Sequence, residues 1–130
     1  MRKNLFNRIG FVNLLSPNSK ALISFFKDKV GLEQMDSQND TDNWYGFKTG
    51  KTTFAIEPLS NRKDFKFKYN KHNQVLIQFL AKDINHFEAM NKQLKDNGVN
   101  IVRQSVKSHY GMFTNFLDTD GNLFEILLAK

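Results

Sequence analysis

Cysteine is missing from all 130 residues, which excludes disulfides, thiolate metal sites and cysteine nucleophiles. No apolar run is long enough to cross a bilayer. The opening "MRKNLFNRIGF" carries basic residues but not the sustained apolar stretch of a signal peptide. A soluble cytoplasmic protein is the resulting expectation. Phosphate-cradling glycine loops are also lacking, since Gly46, Gly50 and Gly121 read as turn glycines. There is no nucleophile elbow, and no serine has an evident histidine partner. Histidine itself is scarce, with three in the chain.

What remains is an ordinary globular composition, 40% hydrophobic and 25% charged, of a length that suits one domain. The 13 phenylalanines supply a core of large, stiff side chains. The net charge is +6, and "SNRKDFKFKYNKHN" (60–73) holds five Lys or Arg against one Asp. Interleaving with Phe65, Phe67 and Tyr69 gives this stretch the pattern of a single-strand nucleic-acid surface. No recognised nucleic-acid motif accompanies it, and a solvated linker or a lysine-fringed edge strand has the same composition. The reading is therefore against a nucleic-acid partner and against a membrane one.

Periodicity divides the chain into two halves of one plan. A strand is expected at about 7–15, then a helix with Ser16 as its cap and Pro17 at its first position. Leu22, Ile23, Phe26 and Val30 recur at helical spacing, and Gly31 ends the run. Strand-like segments follow near 32–36, 43–48 and 52–59. The second half repeats the order. "NQVLIQFLA" (73–81) alternates as a strand, and Asp83 caps a helix carrying Ile84, Phe87, Met90 and Leu94 that ends at Asn97-Gly98. Strands follow near 99–105, 110–118 and 122–128. An aromatic-Gly pair, Tyr45-Gly46 or Tyr110-Gly111, enters each next-to-last strand. Such a repeat supports one fold built from two modules, at about 7–60 and about 73–130 with the basic linker between.

Each last strand carries one acid among apolar residues. In "NLFEILL", Glu125 shares a face with Leu123 and Leu127, while Phe124, Ile126 and Leu128 form the core face. In "TTFAIEPL", Glu57 faces the same way as Ala55 and Leu59. A single carboxylate on a mostly apolar face suits a cavity wall. "DTDGN" reads as a three-residue hairpin loop with left-handed Gly121. That register pairs Phe116 with Phe124 on the core face and Asn115 with Glu125 opposite, and it puts Phe113 on the Glu125 side.

The segments "SPNSKALISFFKDKVGLE" and "YGMFTNFLDTDGNLFEIL" resemble the opening helix and closing hairpin of the vicinal-oxygen-chelate superfamily. This superfamily includes glyoxalases, bleomycin-resistance proteins and dioxygenases. The resemblance implies an α+β fold in which two βαβββ modules form a cup-shaped curved mixed sheet, with helices on the outer face. It also implies a divalent metal in the cup, with Glu57 and Glu125 at the acidic ligand positions. The family's histidine positions are occupied by Phe11 and Leu76. A catalytic zinc site needs about three protein ligands, usually with imidazoles, and the non-haem iron triad needs two histidines. The expectation is therefore a cup without the usual metal, with Mg²⁺ or Mn²⁺ on the two glutamates as the alternative.

The three histidines do not restore the set. His72 lies four residues before Leu76, about 13 Å along an extended strand. His86 falls in the first turn of the second helix, facing solvent. His109 enters the penultimate strand and belongs at the rim. The resemblance thus points to a glyoxalase/bleomycin-resistance-like protein that binds a small organic molecule and forms a homodimer. The alternative is a metal-dependent lyase, isomerase, group transferase or dioxygenase of the same superfamily. Strand parity gives the pocket as Phe11, Asn13, Trp44, Glu57, Leu76, Gln78, His109, Phe113, Asn115 and Glu125. Buried carboxylates in such a pocket favour a cationic group on the ligand, opposed by basic residues at the rim.

Overall fold

The computed structural model describes residues 9–38, 44–62 and 75–130. The basic segment beyond Arg62, with Phe65, Phe67, Tyr69 and His72, lies outside them. Within the described residues, β1 (Phe11–Ser16) leads into α1 (Ser19–Ser24). The cap is Asn18, whose side chain accepts the Ala21 N–H at 3.5 Å, and not Ser16. Ser16 is held elsewhere: its hydroxyl donates to Asp120 Oδ2 at 2.7 Å and accepts the Asn18 N–H at 3.1 Å. The helix continues as a π-helical turn over Phe25–Val30. Two consecutive residues there, Phe25 and Phe26, are both buried. Gly31 closes the run at φ 88°, where Gln93 Nε2 would lie 2.1 Å from any Cβ.

β2 (Tyr45–Phe47) and β3 (Thr53–Pro58) complete the first half. The strand expected near 32–36 is reduced to one bridge, Gln34 to Phe47. Two backbone bonds flank it, Met35 N–H to the Gly46 carbonyl at 3.0 Å and Lys48 N–H to the Glu33 carbonyl at 2.9 Å. Beyond them a side chain takes over: Gln38 accepts the Gly46 N–H at 2.7 Å and donates to the Trp44 carbonyl at 2.9 Å. The second half contains β4 (Ile77–Leu80), α2 (Ile84–Asp96), β5 (Asn100–Ser108), β6 (Gly111–Leu117) and β7 (Leu123–Ala129). Asp83 caps α2 through the His86 N–H at 2.8 Å.

The strands form a three-stranded sheet, β1-β3-β2, and a four-stranded sheet, β4-β7-β6-β5. In each, the first strand runs parallel to the last. The architecture is α+β, two βαβββ-type halves with no closed barrel. Both helices cover the same face of their sheets, and the core lies between. Phe26 is its hub, with ring centroids 5.0 Å from Phe54 and 4.9 Å from Phe124, so one side chain of the first half packs on both sheets. No described helix is long and apolar enough to cross a membrane.

Two local devices shape the second sheet. The first is the β6–β7 hairpin, a type I turn closed by Gly121 at φ 84°, with Gly121 N–H donating to the Asp118 carbonyl at 3.1 Å. It sets the expected register, Phe116 opposite Phe124 and Asn115 opposite Glu125. Asp118 holds the loop by accepting from Asp120 N–H at 2.9 Å, Asn122 N–H at 2.8 Å and Asn122 Nδ2 at 2.8 Å. Burial nevertheless pushes its carboxyl above the ordinary value of 3.8, against those hydrogen bonds.

The second device is a pair of irregularities in β5, between Ile101 and Arg103 and between Arg103 and Val106. Without them, Arg103 would share a face with Ile101. The first bulge turns Arg103 to the Glu125 side, and the second keeps Val106 there with it. At the second, Ser105 has φ 51°, the one positive φ among described non-glycine residues. Its N–H donates to Thr114 Oγ1 at 3.0 Å, and Thr114 donates to Asn91 Oδ1 at 2.5 Å. Asn91 is fixed in turn by donating to the Phe87 carbonyl at 2.8 Å. The bulge is thus pinned to α2 through buried polar groups.

Two outcomes follow for stability. Thr114→Val keeps the shape but strands the buried Asn91 amide oxygen and removes the acceptor of the Ser105 N–H, so urea unfolding should show a loss of about 1–3 kcal/mol. A raised folded-state pKa means that the Asp118 share of stability is fully present below the unfolded value and is lost as pH rises through the folded one. The stability of wild type minus that of Asp118→Asn, measured from about pH 3 to about pH 7, should therefore fall with rising pH.

Candidate functional site

Register places Gln78, Glu125, Asn115 and Arg103 in one row across the four strands of the second sheet. The row is bonded end to end. Gln78 Nε2 donates to Glu125 Oε2 at 2.6 Å, and Asn115 Nδ2 donates to Glu125 Oε1 at 3.1 Å. Arg103 donates to Asn115 Oδ1 from Nε at 3.2 Å and from Nη2 at 2.9 Å. The chemistry fixes the orientation of the Asn115 amide. Arginine can only donate, so Oδ1 faces Arg103; an ionised carboxylate can only accept, so Nδ2 faces Glu125.

The row lies above a buried floor and below an exposed rim. Glu125 is 5% exposed, Asn115 2% and Phe113 6%. Gln78, Arg103, His109 and Tyr110 are exposed. The Arg103 guanidinium stands 5.0 Å over the Phe113 ring, and Phe113 stacks on Tyr110 at 6.1 Å. His109 meets Tyr110 edge-on at 5.2 Å. Gln78 and Asn115 of the expected pocket are thereby brought onto Glu125, with Phe113 on the same face, while His109 touches Tyr110 beyond the end of the β6–β7 pairing.

The rest of the expected set lies on the other sheet or at its margin. Asn13 is opposite Ala55, and Glu57, 8% exposed, is opposite Leu15. Phe11 and Trp44 meet edge to face at 5.8 Å. Trp44 and Met35 cover Gly46 so closely that a Cβ there would lie 2.6 Å from Trp44 Cζ3 and 2.3 Å from Met35 Sδ. Leu76, 47% exposed, precedes β4 on the side of Gln78. His86 sits in α2 beside its cap, with Nδ1 2.7 Å from Asp83 Oδ1.

Could the Glu125 site hold a divalent metal? Both carboxylate oxygens face N–H donors, where a metal would require further lone pairs. Among the described residues, no three His, Cys, Asp or Glu side chains are grouped as a metal would need. Phe11 and Leu76 offer only carbon. Around Glu125 the described residues thus supply one carboxylate, whose oxygens are already met by amide donors.

Arg103 and Tyr110 join this site without having been expected in it. Plain alternation puts Arg103 on the core side of β5, and no residue type in "NIVRQSVKS" announces the two bulges that reverse it. A second feature was also not legible: a cavity of about 620 Å³ on the helix side of the sheets, whose walls include Gln78 but no other residue of the expected pocket.

The fold has close counterparts among solved structures. A glyoxalase/bleomycin resistance protein/dioxygenase from Nocardioides superposes with a TM-score of 0.78 at 10% identity, covering 98% of this chain and 86% of that one. TnmS3, an antibiotic binding protein from Streptomyces sp. CB03234, gives 0.73 at 15% identity, covering 98% and 100%. Lactoylglutathione lyase from Agrobacterium tumefaciens gives 0.70 at 18% identity, covering 96% of each chain. These likenesses concern the fold alone, and no curated protein matches the sequence. A family profile does match, over residues 8–126. With that match and this fold, the chain belongs to the Glyoxalase/Bleomycin resistance protein/Dioxygenase superfamily.

Proposed function

We propose that the Glu125 face of the second sheet binds a small, planar organic molecule carrying an anionic group, without a metal. The observation that carries this reading is the bonded row from Gln78 to Arg103. It leaves Glu125 occupied by two amide donors while Arg103 retains the Nη1 donors that Asn115 does not use. The charge presented to a ligand is then positive, contrary to the cationic preference that the carboxylate alone suggests. Arg103 over Phe113, with Tyr110 stacked beyond, offers a flat surface on which a ring can lie next to the guanidinium. A solved relative in fold is an antibiotic binding protein, which is in keeping with a binding role.

The same reading includes a homodimer. Phe11, 55% exposed, and Leu76, 47% exposed, leave apolar surface at the β1 and β4 edges of the two sheets. A second copy laid over them would shelter that surface and close the ligand face.

Thermal-shift titration tests the ligand class. Naphthoate should raise the melting temperature saturably, naphthylmethylamine should not, and Arg103→Ala should weaken naphthoate about tenfold. A saturable rise with Mn²⁺ or Zn²⁺ that is lost in Glu125→Gln would overturn the metal-free reading. For the dimer, sedimentation should show wild type as two copies and Phe11→Ser with Leu76→Ser shifted to monomer. A monomeric wild type would sink that part.

A further inference from the structure

We propose that the helix-side cavity is a second ligand site, and that it takes a medium-chain alkyl carboxylate. Its walls come from both halves: Val12 and Phe54 from the first sheet, Phe79, Phe116 and Ile126 from the second, and Met90 from α2. All face the helix side, away from Glu125. The space, about 620 Å³, is a cleft open to solvent past Lys48, Leu80 and Gln93, with core side chains at its base, and its size is within the range of a ligand pocket.

The chemistry of the walls selects the ligand. Among the described residues, no buried side-chain nitrogen or oxygen lacks a hydrogen-bond partner, so the interior asks for no polar group on the tail. Lys48 is, among the described residues, the one ionisable residue in the lining. Its ammonium lies 2.8 Å from Asp36 and 3.6 Å from Glu33, whose side chains are 90% and 78% exposed. Neither acid lines the cavity. Exposed pairs of this kind contribute about 0–1 kcal/mol, so a ligand carboxylate can replace them. The neighbouring Thr49 hydroxyl is already used, donating to the Thr52 carbonyl at 2.6 Å and accepting the Phe54 N–H at 3.1 Å. Head-group recognition is left to the single positive charge. A hydrocarbon tail with one anionic end meets both conditions.

Calorimetric titration with decanoate and decanol tests the assignment. Wild type should bind decanoate one to one. Lys48→Glu, at a half-exposed position that spares the core, should weaken decanoate about tenfold and leave decanol within about twofold. Val12→Phe, which fills the cavity, should weaken both, with circular dichroism reporting that each variant is folded. Saturating naphthoate should leave decanoate affinity within about twofold, because among the described residues the two sites share only the margin at Gln78. No decanoate binding, a Lys48→Glu variant that binds it as well as wild type, or competition with naphthoate would each overturn the proposal. A protein that ignores naphthoate and binds decanoate would sink the reading of the Glu125 face and leave this one standing.

Discussion

Burying an ionised carboxylate within a sheet commits everything around it. Glu125 must be met by donors, or the charge would cost several kcal/mol. Amides at Gln78 and Asn115 meet it from the strands on either side. Turning the Asn115 amide toward the acid leaves its oxygen pointing at β5, where only a donor can stand. Arg103 supplies that donor, but only because β5 bulges twice to bring it there. The second bulge needs Thr114, and Thr114 needs Asn91 on α2. One acid in β7 therefore accounts for a chain of polar residues that ends in a helix on the far side of the sheet.

The phenylalanine core works by the opposite means, through shape without direction. Phe26 touches rings from both sheets, and Phe79 and Phe124 lie nearly parallel at 5.8 Å. Such contacts fix the two halves against each other with little demand on exact side-chain identity. They also leave space where the halves diverge, at the β1 and β4 edges. The polar row determines what the molecule can recognise on one side, and incomplete packing determines what it can admit on the other.

Local signals were readable wherever the controlling interaction is local. Asp83 and Asn97-Gly98 bound α2 because caps act within one turn. "DTDGN" gave the hairpin, and loop length carried that into the pairing of Asn115 with Glu125. Where a distant partner decides, the sequence was silent. Ser16 looks like a cap but is held by Asp120, so Asn18 takes the role. The segment near Gln34 has strand composition, yet the Gln38 amide intercepts the ladder. Arg103 was hidden by bulges that depend on Thr114 and Asn91, residues with no unusual local pattern. The fold was therefore more legible than the site, whose cation and aromatic rim rest on irregular backbone.

The bond between Ser16 and Asp120 spans 104 positions of sequence. It fastens the end of the first strand to the tip of the last hairpin. Loop closure of that length carries an entropic cost before any contact offsets it. Among the described strands, β1 pairs with β3 alone, across the helix and β2, and in parallel. The tie between the halves is complete only when the end of β1 and the last hairpin are both in place. Ties of this span raise the contact order, which across small domains goes with slower folding than local helical contacts alone would give.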